Sequence, residues 1–175
     1  MKYFLLVNDT LMKYYIINEF CILALCFLLA DNMIEFIKST DILNVRNIVL
    51  RDNKLTPDEC RFPTDEIKGA FHLGYYDGDT LATVVSLHPQ SYGELIGNGY
   101  QLRGMATLAE YRGKGFGKII VDYAVDYLQK KHASYIWCNA RKGASKFYHD
   151  CGFEIISDEF EIKGIGAHYV MSHQL

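Results

Sequence analysis

The residues best placed to do chemistry are Arg112-Gly113-Lys114-Gly115-Phe116-Gly117. Glycines let a main chain curl tightly and approach a ligand with no Cβ in the way. If a helix opens at the end of this run, its first N–H groups lack an internal partner and its dipole favours an anion. Arg112 and Lys114 add positive charge beside those amides. The chemistry implied is the holding of phosphate. Spacing excludes two common phosphate loops. A P-loop requires Gly-x-x-x-x-Gly-Lys-Ser/Thr, whereas Gly117-Lys118 is followed by Ile119 and position 112 is arginine. A dinucleotide fingerprint requires Gly-x-Gly-x-x-Gly, and Lys118 and Ile120 break both available registers. What fits is Arg-x-x-Gly-x-Gly, ending where a helix begins.

Such a loop needs a strand behind it and a helix ahead of it, and the pattern supplies both. Residues 100–108 read as the strand and 118–131 as the helix, with Phe116, Ile119, Ile120, Tyr123, Ala124, Tyr127 and Leu128 on one stripe. Upstream, residues 33–37 alternate as a strand does. Ser39, Thr40 and Asp41 are N-cap types before a helix carrying Ile42, Val45, Ile48 and Val49. Residues 52–67 hold Pro57 and Pro63 and read as a long loop. Two strands, 70–76 and 81–87, flank Asp77-Gly78-Asp79, a hairpin signal. Downstream come a short strand at 135–138 and a helical stripe of Ala144, Phe147, Tyr148 and Cys151 stopped at Gly152. Residues 153–156 and 167–171 read as final strands. The order β-α-β-β-β-α-β-α-β-β predicts an α/β (α+β) architecture, a mixed sheet with helices on its faces.

At 175 residues the chain suits one domain. A formal net charge of −3 argues against a general nucleic-acid binder, although residues 112–118 form a local basic patch. The five cysteines are odd in number and show no metal-ligand spacing, which implies reduced, mostly buried thiols in a cytoplasmic protein without a metal site. Residues 1–32 do not match the rest. The apolar run 20–30 falls short of the roughly 20 residues a membrane span needs. Three readings compete: an additional packing helix, a weak membrane anchor, or a true start at Met33. The first and third are favoured, so the expected domain is 33–175.

A second landmark follows the loop: Arg141-x-x-Ala144-x-x-Phe147-Tyr148-x-x-x-Gly152-Phe153. With the glycine loop, in this order and context, it resembles the GNAT superfamily of N-acetyltransferases. Residues 100–153 carry the motifs, and the element order extends the likeness to about 33–173. The resemblance implies a mostly antiparallel sheet, acetyl-coenzyme A (acetyl-CoA) as co-substrate and an amine as acceptor; the oligomeric state, a homodimer included, stays open. It implies that backbone amides of Met105, Ala106 and Thr107 hold the pantetheine arm. The amides of Arg112, Gly113, Lys114, Gly115, Phe116 and Gly117 would hold the pyrophosphate. Tyr148 would protonate the leaving thiolate, a role the helical stripe alone does not suggest. Two departures stand out. Arg141 occupies a position where the family usually has Asn, so it would bind phosphate or a substrate carboxylate instead. Ala109 replaces a usual proline.

The general base stays open at this level. Glu161, Glu159, His72 and His168 all lie on elements expected to border the acceptor, and each is individually more typical of an ordinary polar residue. Arg103 is unusual, because a charge on a core strand needs a partner; it binds an acidic acceptor or pairs with a carboxylate such as Glu161. Trp137 and Asn139 suit packing and a strand end. The leading reading is an acetyl-CoA-dependent N-acetyltransferase of a small amine or amino acid. The alternatives are a non-catalytic acyl-CoA sensor and a peptide or protein acetyltransferase. Fold likeness alone does not choose the acceptor.

Overall fold

The computed structural model describes residues 33–175 apart from Glu94. The apolar segment 1–32 lies outside the described residues. Among those described, no helix is long and apolar enough to cross a membrane. The chain forms β1 (Ile34–Ile37), α1 (Leu43–Leu50), β2 (Phe71–Asp77), β3 (Thr80–Pro89), β4 (Gly99–Thr107), α2 (Phe116–Lys130), β5 (Tyr135–Arg141), α3 (Ser145–Asp150), β6 (Glu154–Ile155), β7 (Phe160–Ile162) and β8 (Gly166–Gln174). One sheet runs β1-β2-β3-β4-β5-β8-β6, with β7 also paired to β8. It is a mixed, mostly antiparallel α/β arrangement, as expected.

The feature that matters for function is a split in the middle. The pairs β2/β3, β3/β4 and β5/β8 are antiparallel. Strands β4 and β5 are parallel and pair only over Gly99–Gln101 and Tyr135–Trp137. Beyond these three pairs the two strands no longer hydrogen-bond, and the sheet opens into a cleft. On β4 the register slips here too: Ser86 faces Arg103 but Val84 faces Ala106, so two residues, Gly104 and Met105, oppose Val85. Such a bulge bends its strand and leaves one residue's polar groups out of the ladder. Gly104 has φ +64°, and an added Cβ would lie 2.7 Å from the Arg46 Nε atom. Only glycine fits both demands.

The helices cover the sheet with apolar faces. On α2, Ile120, Val121, Ala124, Val125 and Leu128 are buried. Burial of such side chains is worth about 1.5–3 kcal/mol each for the larger ones. Tyr127 sits at the edge of that stripe and packs on Phe36 and Phe71, with ring centroids 5.0 Å away in each case. On α1, Leu43 and Val45 join Ile42, Val84 and Ala106 in a core cluster.

Three expectations need correction. The helix α1 is not capped by Ser39, Thr40 or Asp41; its N-cap is Ile42, with no side-chain cap. Asp41 instead accepts from the Lys38 amide, and the Ser39 hydroxyl donates to Glu66. Strand β5 runs on to Arg141, three residues past its expected end, because β8 pairs with all of it. Strand β7 has no counterpart in the expected order; at three residues it is too short to show a pattern.

Candidate active site

The cleft opened by the β4–β5 split has two halves. The first, a cavity of about 740 Å³, lies between the end of β4, the glycine loop and α3. Met105, Ala106 and Thr107 line it from the strand, and Arg112, Gly113, Gly115, Phe116 and Gly117 from the loop. Gly113 and Gly115 take φ of +77° and +85°, and Gly115 is the N-cap of α2. The first bond of that helix runs from Ile119 N to Gly115 O at 3.1 Å. The amides of Phe116, Gly117 and Lys118 therefore open the helix with no intrahelical acceptor, which is the condition for holding an anion. Lys114 is not in this lining; its ammonium lies 4.5 Å from the centroid of the Tyr111 ring. Arg112 Nε donates to Thr107 O at 3.4 Å, tying the loop back to β4.

The second half, about 330 Å³, lies between β4, β5 and β8, and Arg141 and Tyr148 line it. Both halves are lined by Val49, Met105, Arg112 and Ala144, so they form one continuous cleft. Tyr148 sits on α3, with Phe147 and Phe153 edge-on to its ring at 5.1 and 5.6 Å. Burial, reinforced by the neighbouring Cys138 and Cys151, pushes its phenol well above the ordinary tyrosine value. The hydroxyl therefore keeps its proton near neutrality. Burial also raises the thiols, Cys151 to about 11 and Cys138 further. Neither is a thiolate nucleophile near neutrality.

The base candidates separate cleanly. Glu159 is held by Lys142 at 2.7 Å and by the Tyr169 hydroxyl at 2.7 Å, which keep its carboxyl below the ordinary value. Glu161 is exposed and lies outside the cleft lining. His72 is buried elsewhere: Nδ1 meets Ser86 Oγ at 2.6 Å and Nε2 meets Asp65 O at 3.1 Å. Burial lowers its imidazole below the ordinary value. His168 differs. It lines the second half of the cleft, 4% exposed, and its Nδ1 lies 2.6 Å from Gly166 O. A carbonyl can only accept, so Nδ1 carries the hydrogen, and Nε2 is the nitrogen left to exchange a proton. The register Phe160↔His168↔Arg141 shows that β7 and β5 fix this residue from both sides.

Arg103 does not pair with Glu161. Its guanidinium lies 3.8 Å from the centroid of the Phe62 ring, and burial together with Arg46 lowers its pKa. Trp137 is a packing residue whose indole donates to Gln90 O at 2.8 Å, and Asn139 lines the second half. A buried ionic network lies behind this wall. Arg46, 1% exposed, donates to both Asp65 oxygens at 2.7 and 2.9 Å and to Ser86 Oγ at 2.7 Å. His88 Nε2 lies 3.2 Å from Asp65 Oδ1, and Thr64 Oγ1 lies 2.9 Å from His88 Nδ1. Burial works against the Asp65 carboxylate. The hydrogen bonds from His88 and Arg46 and the guanidinium charge outweigh it and hold the carboxyl far below its usual range. Asp65, His72 and His88 have ligand-type atoms within 4.8 Å of one another, yet Arg46 already neutralises the carboxylate. No local motif announces this network; its members meet only through the sheet.

A strand split, a bulge beside it and a helix-opening glycine loop make a cleft suited to a phosphate-bearing ligand, and the comparisons with known proteins place the chain among the acyltransferases. The model of the acetyltransferase (GNAT) family matches residues 42–153, and the chain belongs to that family. An uncharacterized N-acetyltransferase of Bacillus subtilis (strain 168), YitI, is 36% identical over 140 residues, covering 79% of this chain and 93% of its own. A Lactobacillus plantarum protein assigned as an N-acetyltransferase superposes with TM-score 0.66 at 18% identity, over 81% of this chain and 98% of the other. An aminoglycoside 6'-N-acetyltransferase complexed with coenzyme A gives 0.64 at 12%, over 81% and 96%. ElaA of Escherichia coli gives 0.64 at 15%, over 80% and 97%. At these identities the structural likeness speaks for the fold, and the fold is one that binds acetyl-CoA or coenzyme A.

Proposed function

We propose that the chain, through a domain spanning 33–175, transfers an acetyl group from acetyl-CoA to a primary amine of a small molecule or amino acid. One observation carries this reading: a single cleft has the glycine loop at one end and Tyr148 with His168 at the other. In the proposed mechanism the amides of 112–117 hold the pyrophosphate, with Lys114 adding charge at the rim. The amides of Met105, Ala106 and Thr107 hold the pantetheine arm, and the bulge aims one of them at the thioester oxygen. That donor stabilises the oxyanion as the amine nitrogen attacks the carbonyl carbon. The attacking ammonium first gives its proton to His168 Nε2, directly or through one water. The C–S bond then breaks, Tyr148 donates its phenolic proton to the departing sulfur, and the nitrogen of the new C–N bond loses its second proton to solvent water. Exchange with solvent resets both residues. Acetyl-CoA and an amine panel, followed by thiol release, test the reading. Amine-dependent release supports it; release that ignores every amine contradicts it.

The second reading is a non-catalytic acyl-CoA sensor. It is kept because Arg141 lines the acceptor half and not the cofactor half, so one contact usual in the family is missing. Binding of acetyl-CoA without transfer to any amine is its expected signature. The structural neighbour named for aminoglycosides points to an amine-rich, cationic acceptor, which the positive lining of this cleft does not favour.

A further inference from the structure

The acceptor half is lined by four arginines, Arg51, Arg103, Arg112 and Arg141, and among its lining residues there is no aspartate or glutamate. The whole chain is formally negative, at −3, so this local excess belongs to the site and not to the composition. Two of the four are engaged or solvated. Arg112 is bonded to the carbonyl at the end of β4, and Arg141 stands exposed at the rim, where Asp52 feels its charge. Arg103 is neither. It is partly buried on β4, it makes no ion pair among the described residues, and the nearest charged neighbours are Arg46 and an Asp65 already bonded by Arg46 and His88. The Phe62 ring under it orients the plane without neutralising the charge. A partly desolvated guanidinium without a counter-ion is costly to keep. Two residues earlier on the same face of β4, Gln101 is 6% exposed and its Oε1 has no hydrogen-bond partner. The wall therefore presents an unanswered cation, with an unpartnered amide oxygen buried behind it.

We infer that the acceptor is an amine that also bears a carboxylate, and that Arg103 receives that carboxylate as the specificity-determining residue. The inference rests on the acetyltransferase reading and narrows it. A guanidinium fork matches a carboxylate in two parallel hydrogen bonds. Phe62, Ile162 and Ile165 offer an apolar wall to its carbon skeleton. Polyamines, with several ammonium groups, meet like charge at every turn of this lining.

The test uses the full chain with acetyl-CoA and three matched acceptor sets: amino acids, the same amino acids as primary amides, and diamines or polyamines. Thiol release is read as separate kcat and KM values. Amino acids should be the substrates, and amidation of the carboxylate should raise KM by about tenfold or more, the loss of a charged hydrogen-bonded pair. The substitution Arg103→Gln should raise KM for the amino acid by a similar factor, remove the preference over the amide and leave acetyl-CoA affinity unchanged. Arg103→Lys, which keeps the charge but not the fork, should fall between. A polyamine preferred over every amino acid, or equal KM for acid and amide in the wild-type chain, would overturn the inference without any question of misfolding. An aminophosphonate preferred over the carboxylates overturns it as well. If no amine is acetylated, the catalytic reading fails, and the same sets titrated calorimetrically into the coenzyme A complex still decide the acceptor: only carboxylate-bearing amines should bind.

Discussion

Replacing Tyr148 by Phe removes one oxygen atom and little else. The side chain is 8% exposed, its ring packs on Phe147 and Phe153, and its hydroxyl makes no hydrogen bond among the described residues. The substitution should therefore change stability by less than about 1 kcal/mol, since no protein hydrogen bond is lost. The catalytic cost is bounded by the chemistry. A positioned general acid contributes roughly 10²–10⁴-fold. An alkyl thiol has a pKa of about 8.5, so thiolate leaves tolerably even without a proton, which points to the low end of that range. Burial raises the phenol, but the same surroundings penalise the departing thiolate, so donor and acceptor remain matched. The expected result is a fall in kcat of about 10²-fold, some 2.7 kcal/mol, with the KM for acetyl-CoA within about threefold of wild type. Steady-state thiol release with a melting curve measures both. An acetyl donor built on an acidic aryl thiol sharpens the test, because its leaving group needs no proton and should close most of the gap. Turnover within about twofold of wild type with acetyl-CoA, or an equal deficit with both donors, would refute the role given to the hydroxyl.

Two further outcomes follow from the buried groups. Asp65→Asn leaves the Arg46 charge unpaired in the interior and should cost about 3–5 kcal/mol in chemical denaturation. Because the folded-state pKa of Asp65 is depressed, its contribution is fully present above the unfolded carboxylate value near 4 and is lost as pH falls toward the folded value; the gap between wild type and variant should be constant above about pH 5 and shrink below about pH 4. His168→Gln should lower kcat/KM by about 10²-fold with acetyl-CoA affinity unchanged, whereas turnover within about twofold of wild type would assign the proton to another group.

Legibility in the sequence follows the range of the interactions. The glycine loop is readable because strand, turn and helix start are contiguous, and its chemistry comes from backbone amides whose positions the glycines fix. Tyr148 is readable only through its spacing to Gly152 and Phe153, since a tyrosine on a helical stripe is otherwise an ordinary packing residue. The α1 cap misleads because Ser39 and Asp41 are engaged elsewhere, by Glu66 and by the Lys38 amide, and a local propensity cannot foresee a tertiary partner. The choice of His168 among four candidates needs β7, a three-residue strand with no periodic signal, which brings Phe160 opposite it. The Arg46–Asp65–His88 network spans 19 and 23 residues of chain and is invisible for the same reason. Arg103 is an anomaly in the sequence already, but only the absence of Glu161 beside it makes the anomaly informative.

The central claim is that the glycine loop at the start of α2 binds acetyl-CoA, and isothermal calorimetry on wild type and Gly115→Asp tests it most directly. Gly115 has φ +85°, and a Cβ added there meets nothing within 4 Å, so an aspartate costs about 1–2 kcal/mol of backbone strain without a clash at Cβ. It does place a carboxylate where the pyrophosphate would lie. One-site, micromolar binding to the wild-type chain and none to the folded variant are expected. Equal affinity in both, or no heat from a folded wild-type chain, would contradict it.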